Sequence, residues 1–112
     1  MIEGFERETH ELTSEEAMLV DPMVMGLRTK WGKDNAITSD EMIEAFKSLN
    51  IKVTGPRIRK LINYIRVNGL VTNLVSSSLG YYRTNDAEDL ERYKRSLRQR
   101  INSISEVLES FN

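Results

Sequence analysis

Four helix-start signals punctuate this chain, and apolar residues at helical spacing follow each one. Thr13-Ser14-Glu15-Glu16 and Thr38-Ser39-Asp40-Glu41 are capping boxes. In such a box the threonine hydroxyl accepts from the backbone amide three residues on, and the glutamate there reaches back to the cap amide. Thr54 precedes Pro56, which is tolerated in a first turn because its missing N–H has no helical partner there. Asp86 precedes the last helical run. Signals this local and this regular predict a mainly α chain.

The stripes behind the caps give the helix faces. Ala17, Val20, Val24, Leu27 and Trp31 recur at spacings of three and four. Pro22 falls inside that run, and a proline clashes with the carbonyl four residues back. The expectation is therefore a kinked or two-piece helix over 14–32, ended by Gly32. Met42, Ile43, Phe46 and Leu49 predict a short amphipathic helix over 39–49. Asn50, which tolerates the left-handed conformation, then makes a tight turn. Ile58, Leu61, Ile62 and Ile65 predict a third helix over 56–68, closed by Gly69.

Beyond it the pattern changes. Residues 71–75 are rich in β-branched types and read as a strand, and 81–84 as its return. The turn residues between them predict a hairpin with a loop longer than two residues. Residues 36–38 are long enough for a minimal strand. A last helix of about 87–111 would be roughly 37 Å long. Leu97, Ile101, Ile104, Leu108 and Phe111 form a heptad seam on it, with Leu90 in register and Lys94 interrupting. Such a helix overruns a core of this size, so the seam is expected to pair two copies into a homodimer.

Composition removes many function classes. With 112 residues the chain fits one domain. It has no cysteine and one histidine, His10, which leaves nothing for thiolate, multi-histidine metal or triad chemistry. No apolar run is long enough for a membrane span, and the acidic start is unlike a signal peptide. No catalytic or metal-binding residue, cofactor, small-molecule ligand or membrane partner is expected, and the chain reads as a non-enzyme.

Charge is distributed unevenly. Residues 1–21 carry a net −6, and residues 1–12 read as an acidic, flexible segment ahead of a domain over 13–85 and a helix over 86–112. Residues 51–85 contain Lys52, Arg57, Arg59, Lys60, Arg66 and Arg83 with no acid, a net +6. A local positive field of that kind attracts polyanions.

Helix, turn, helix and hairpin in this order make a winged helix-turn-helix, a fold that places its second helix of the pair in the major groove of DNA. With Ile58, Leu61, Ile62 and Ile65 inward, Lys60 and Asn63 face outward, while Arg57, Arg59, Tyr64 and Arg66 lie on the flanks. Arg or Lys suits guanine O6/N7, and Asn suits adenine N6/N7. Thr54 and the free amides of the helix start suit a phosphate. The candidate DNA-binding set is thus Lys52, Thr54, Arg57, Arg59, Lys60, Asn63, Tyr64 and Arg66, with Ser76, Ser77 and Ser78 on the wing. The candidate self-association set is Leu97, Ile101, Ile104, Leu108 and Phe111.

Residues 53–69, VTGPRIRKLINYIRVNG, followed by a hairpin with Gly80-Tyr81, resemble the N-terminal winged-helix domain of biotin repressor proteins. The resemblance covers about 37–84, and no ligase domain follows. Residues 33–38, KDNAIT, and the charged C-terminal helix make the chain similar to small phage- and prophage-encoded winged-helix proteins over 12–112. These resemblances imply binding of double-stranded DNA through 56–68 and the wing, in transcription regulation or DNA metabolism, in the cytoplasm of a bacterium or phage-infected host. One departure is Leu79, at a wing tip that usually carries a cation. Leu79, the outward Val67 and the acidic start keep a second reading open: an adaptor that uses the same fold to bind protein.

Overall fold

The computed structural model describes residues 11–111, so the expected acidic segment and His10 lie largely outside the described residues. Helix α1 (Ser14–Leu27) starts at Thr13, whose hydroxyl accepts from the Glu16 amide at 3.1 Å while the Glu16 carboxylate accepts from the Thr13 amide at 2.8 Å. It runs through Pro22 as one helix, not two pieces, and stops at Leu27 rather than at Gly32. The physical reason lies downstream. The Lys30 carbonyl accepts from the Arg83 amide at 2.7 Å, and the Gly32 amide donates to the Arg83 carbonyl at 2.8 Å. That strand-like pairing draws residues 30–32 out of helical geometry. Trp31 therefore leaves the stripe, and Ala17 is exposed; Leu19 and Met23 fill the buried face instead.

Helix α2 (Ser39–Lys47) carries the second capping box and buries Met42 and Phe46. It ends two residues before the expected limit, leaving Leu49 exposed. Asn50 takes φ 62°, the left-handed turn its side chain tolerates. Helix α3 (Gly55–Val67) begins at Thr54, with Pro56 in its first turn. Ile58, Leu61, Ile62 and Ile65 are completely enclosed, so α3 is the centre of the core, packed against α1 and α2.

Strands β1 (Leu74–Ser77) and β2 (Gly80–Arg83) pair antiparallel, with Leu74 opposite Arg83 and Ser77 opposite Gly80. The first strand starts three residues later than expected: residues 71–73 form a bend and turn in which Asn73 adopts φ 57°, a left-handed conformation that an extended strand does not accommodate. The loop is the two-residue Ser78-Leu79, shorter than expected. The positive φ such a tight reversal needs is taken by Gly80, at φ 120°. Gly80 also lies against the chain at Ile37: a Cβ there would stand 2.5 Å from the Ile37 carbonyl oxygen. Ile37 and Tyr81 exchange both backbone hydrogen bonds, at 2.9 and 2.8 Å, so the short extended piece at 36–38 pairs with β2 as a single bridge.

Helix α4 (Ala87–Glu109) is capped by Asp86, which accepts from the Glu88 amide at 2.8 Å. Its 23 residues span about 35 Å. The first turns rest on the hairpin, with Leu90, Tyr93 and Ser96 half-buried; from Ile101 to Phe111 every residue is exposed. The chain is thus mainly helical, with one small antiparallel hairpin and a long C-terminal helix that extends past the core. Among the described residues, no helix is long and apolar enough to cross a membrane.

Candidate nucleic-acid interface

The enclosed isoleucines of α3 orient everything else on that helix. Asn63 and Arg59 are exposed on the face away from the core, together with Pro56 and Val67. No acid occurs on α3, and Lys52 is exposed in the turn that leads into it.

The remaining cations are held in ways that their own neighbourhoods do not announce. Glu16 of α1 has a side chain only 4% exposed, and it accepts from Arg57 Nε at 3.1 Å and Lys60 Nζ at 2.9 Å. Arg57 also lies 4.0 Å from Glu15. Burial of Glu16 opposes its ionisation. The Thr13 amide, the Lys60 hydrogen bond and the charges of Lys60 and Arg57 outweigh that and bring its pKa to about 2. One carboxylate thus anchors two cations of α3 to α1, and Lys60 faces α1 rather than standing free.

Arg66 is drawn inward. Its Nε donates to the Leu74 carbonyl at 2.9 Å and its Nη2 to Ser76 Oγ at 2.7 Å. Its guanidinium lies 4.9 Å from the Tyr93 ring centroid and 5.6 Å from that of Tyr81. Burial lowers its pKa from the usual range, and the nearby charge of Arg100 adds to that. Arg66 and Ser76 together tie α3, the hairpin and α4. Arg83 plays a similar part on the other side. It stacks 4.1 Å from the Trp31 ring centroid and donates to the carbonyls of Thr72 at 3.0 Å and Arg28 at 3.1 Å.

The other candidates divide similarly. Thr54 is exposed, but its hydroxyl accepts from the Arg57 amide at 3.4 Å as the helix cap. Tyr64 is half-buried against the core. Ser77 Oγ accepts from the Leu79 amide at 3.0 Å and so stiffens the loop, and Ser78 is exposed beside it. The structure therefore leaves Lys52, Arg59 and Asn63 exposed, with Arg59 and Asn63 on one face of α3 and Lys52 in the turn ahead of it, holds Arg57 and Lys60 on Glu16, and leaves Arg66 and Ser76 half-buried and bonded to each other. Of the five seam residues, Leu97, Ile101, Ile104 and Leu108 follow one another along the free part of α4, and Phe111 stands in the turn just past the helix end at Glu109, which comes before the expected limit of 111; all five are exposed.

The capping box accounts for one bond of Glu16, to the Thr13 amide, and does not announce the two cations that its carboxylate also holds. A signal for its role was present: Glu16 lies three and four residues ahead of Leu19 and Val20, on the face that is buried. Among the described residues no cluster of three or more potential metal ligands occurs. Set against protein-family models, curated proteins and solved structures, the chain matches none of them, so its functional reading rests on its own residues.

Proposed function

We propose that this protein binds double-stranded DNA as a winged helix-turn-helix, laying the outer face of α3 in the major groove. The observation that carries the reading is the acid-free outer face of α3, on which exposed Arg59 and Asn63 stand above a fully sealed row of isoleucines. A major groove about 12 Å wide admits one helix. In it Asn63 pairs with an adenine edge, Arg59 with a guanine edge or phosphate, and Lys52 with the backbone beside the turn. Arg57 and Lys60 sit at the rim, where a phosphate competes with Glu16 for their protons. Ser77 and Ser78 approach the flanking backbone from the hairpin. The role that fits is regulation of transcription or an accessory part in DNA metabolism.

The test is a titration of purified protein against a random duplex pool at two salt concentrations. Salt-dependent affinity is expected. Asn63→Ala should cost about 1–3 kcal/mol of preference for the selected site, while Arg59→Ala should lower the salt slope by about one if it contacts a phosphate. Absence of binding to any duplex refutes the proposal.

A second reading has its own observation. Val67 is 70% exposed and Leu79 53% exposed on the surface assigned to DNA. Apolar groups there suit a protein partner, and a stoichiometric partner in place of DNA would support an adaptor. In either reading the exposed seam of α4 supports self-association, with a second copy as the partner.

A further inference from the structure

We infer that two copies pair through the free halves of α4 in antiparallel order, each tip laying Phe111 against the foot of the other helix at Leu90, Tyr93 and Lys94. The inference rests on the self-association reading above and adds its geometry.

The seam itself permits this order. Positions 94, 97, 101, 104, 108 and 111 are spaced three, four, three, four and three apart, a series that reads the same from either end. Antiparallel helices can therefore interleave Leu97 with the partner's Leu108 and Ile101 with the partner's Ile104, in four consecutive apolar layers. Phe111 then comes level with the partner's Lys94. A parallel pair makes apolar layers as well, so the apolar residues alone leave the direction open.

Charge decides it. From Arg92 to Arg100 the helix carries five cations and no acid; beyond Arg100 it carries Glu106 and Glu109 and no cation. Parallel pairing sets the cationic halves side by side and places Lys94 against the partner's Lys94 in the seam. Antiparallel pairing brings the acidic tip of one helix beside the cationic half of the other. Glu109, one residue past the seam, becomes level with residue 96 of the partner, on the side where the partner's Arg98 borders the seam. Among the described residues neither Arg95 nor Arg98 has an acidic partner within its own chain, which leaves both available.

The foot of the helix fits the tip. Leu90, Tyr93 and Lys94 form one wall of a surface groove whose other wall includes Gly69, Val71 and Leu74. Lys94 Nζ lies 3.5 Å from Glu91, so its charge has a partner on its own helix, and its apolar stem is what an incoming ring would cover. Phe111 is 83% exposed and is the last large apolar side chain of the seam. Its ring covers that stem and Leu90, closing both ends of the interface.

The chain has no cysteine, so a single Ser110→Cys accepts one nitroxide label per copy. The expected result is a particle of twice the mass of one chain by sedimentation equilibrium. Its inter-label separation by double electron–electron resonance should be about 25 Å between attachment points, from 15 residues of axial offset at 1.5 Å each and roughly 10 Å between axes. A parallel pair would give about 10 Å. Glu109→Lys should raise the dimer dissociation constant severalfold at low salt and much less at high salt, while Ile104→Asp should yield monomers with unchanged helical signal from the core. A monomer at all accessible concentrations overturns self-association and with it the inference. A dimer with the short separation overturns only the antiparallel order. Neither result bears on duplex binding by α3, which the Asn63 and Arg59 variants test separately.

Discussion

Replacing Glu16 with Gln tests the contact that joins α1 to α3. The side chain is almost fully enclosed, and its pKa stands at about 2 against an ordinary 4.5. That difference corresponds to up to about 3 kcal/mol of native-state stabilisation at neutral pH. Because the folded value is the lower one, the contribution is complete above pH 4.5 and disappears as pH falls towards 2. Glutamine keeps an oxygen for the Thr13 amide but loses the charge facing Arg57 and Lys60. Both cations are about one-third exposed and regain water, so the expected loss at pH 7 is about 1–3 kcal/mol, below the cost of stranding a fully buried charge. Urea unfolding followed by circular dichroism at pH 7, 4 and 2.5 measures it. Wild type and Glu16→Gln should differ most at pH 7 and converge at the lowest pH. A difference that stays constant across this range, or is absent at pH 7, refutes the electrostatic account. If α3 meets DNA, the same variant should bind random duplex more tightly at low salt and with a steeper salt dependence, since two cations are released from their counter-ion.

Two further outcomes follow from the same geometry. Gly80→Ala should destabilise the fold by more than about 2 kcal/mol, because it adds strain at φ 120° and sets a methyl 2.5 Å from a backbone oxygen that cannot move freely; a variant melting at the wild-type temperature would contradict that. Arg66→Ala should cost about 2–4 kcal/mol through the lost bonds to Leu74 and Ser76 and the lost stacking with Tyr93 and Tyr81. It should loosen the first turns of α4, read as faster amide exchange at Leu90 and Tyr93, and unchanged exchange there would count against the clamp.

The elements whose information is local were legible in the amino-acid order. Thr13, Thr38, Thr54 and Asp86 cap the helices they announce, since the groups a cap satisfies lie two or three residues away. The four inward residues of α3 followed from a period of 3.6, and the left-handed Asn50 from its own chemistry. The end of α1 was not legible, because Trp31 keeps the helical phase and is removed from it by hydrogen bonds to β2, more than fifty residues on. The contact of Ile37 with Gly80 and Tyr81 escaped for a similar reason: it joins segments far apart in the chain.

The cations make the contrast sharpest. Six of them and no acid between residues 51 and 85 is a property of the chain alone. Which of the six meet solvent was decided in three dimensions. Glu16 reaches Arg57 and Lys60 across 41 and 44 residues, Arg66 and Arg83 turn towards carbonyls of the hairpin and its flanks, and Lys52 and Arg59 are left outward. Short-range order repeats with a period that can be counted along the chain. A long flexible charged side chain takes whichever buried acceptor the fold carries within its reach, and that acceptor has no fixed distance in sequence.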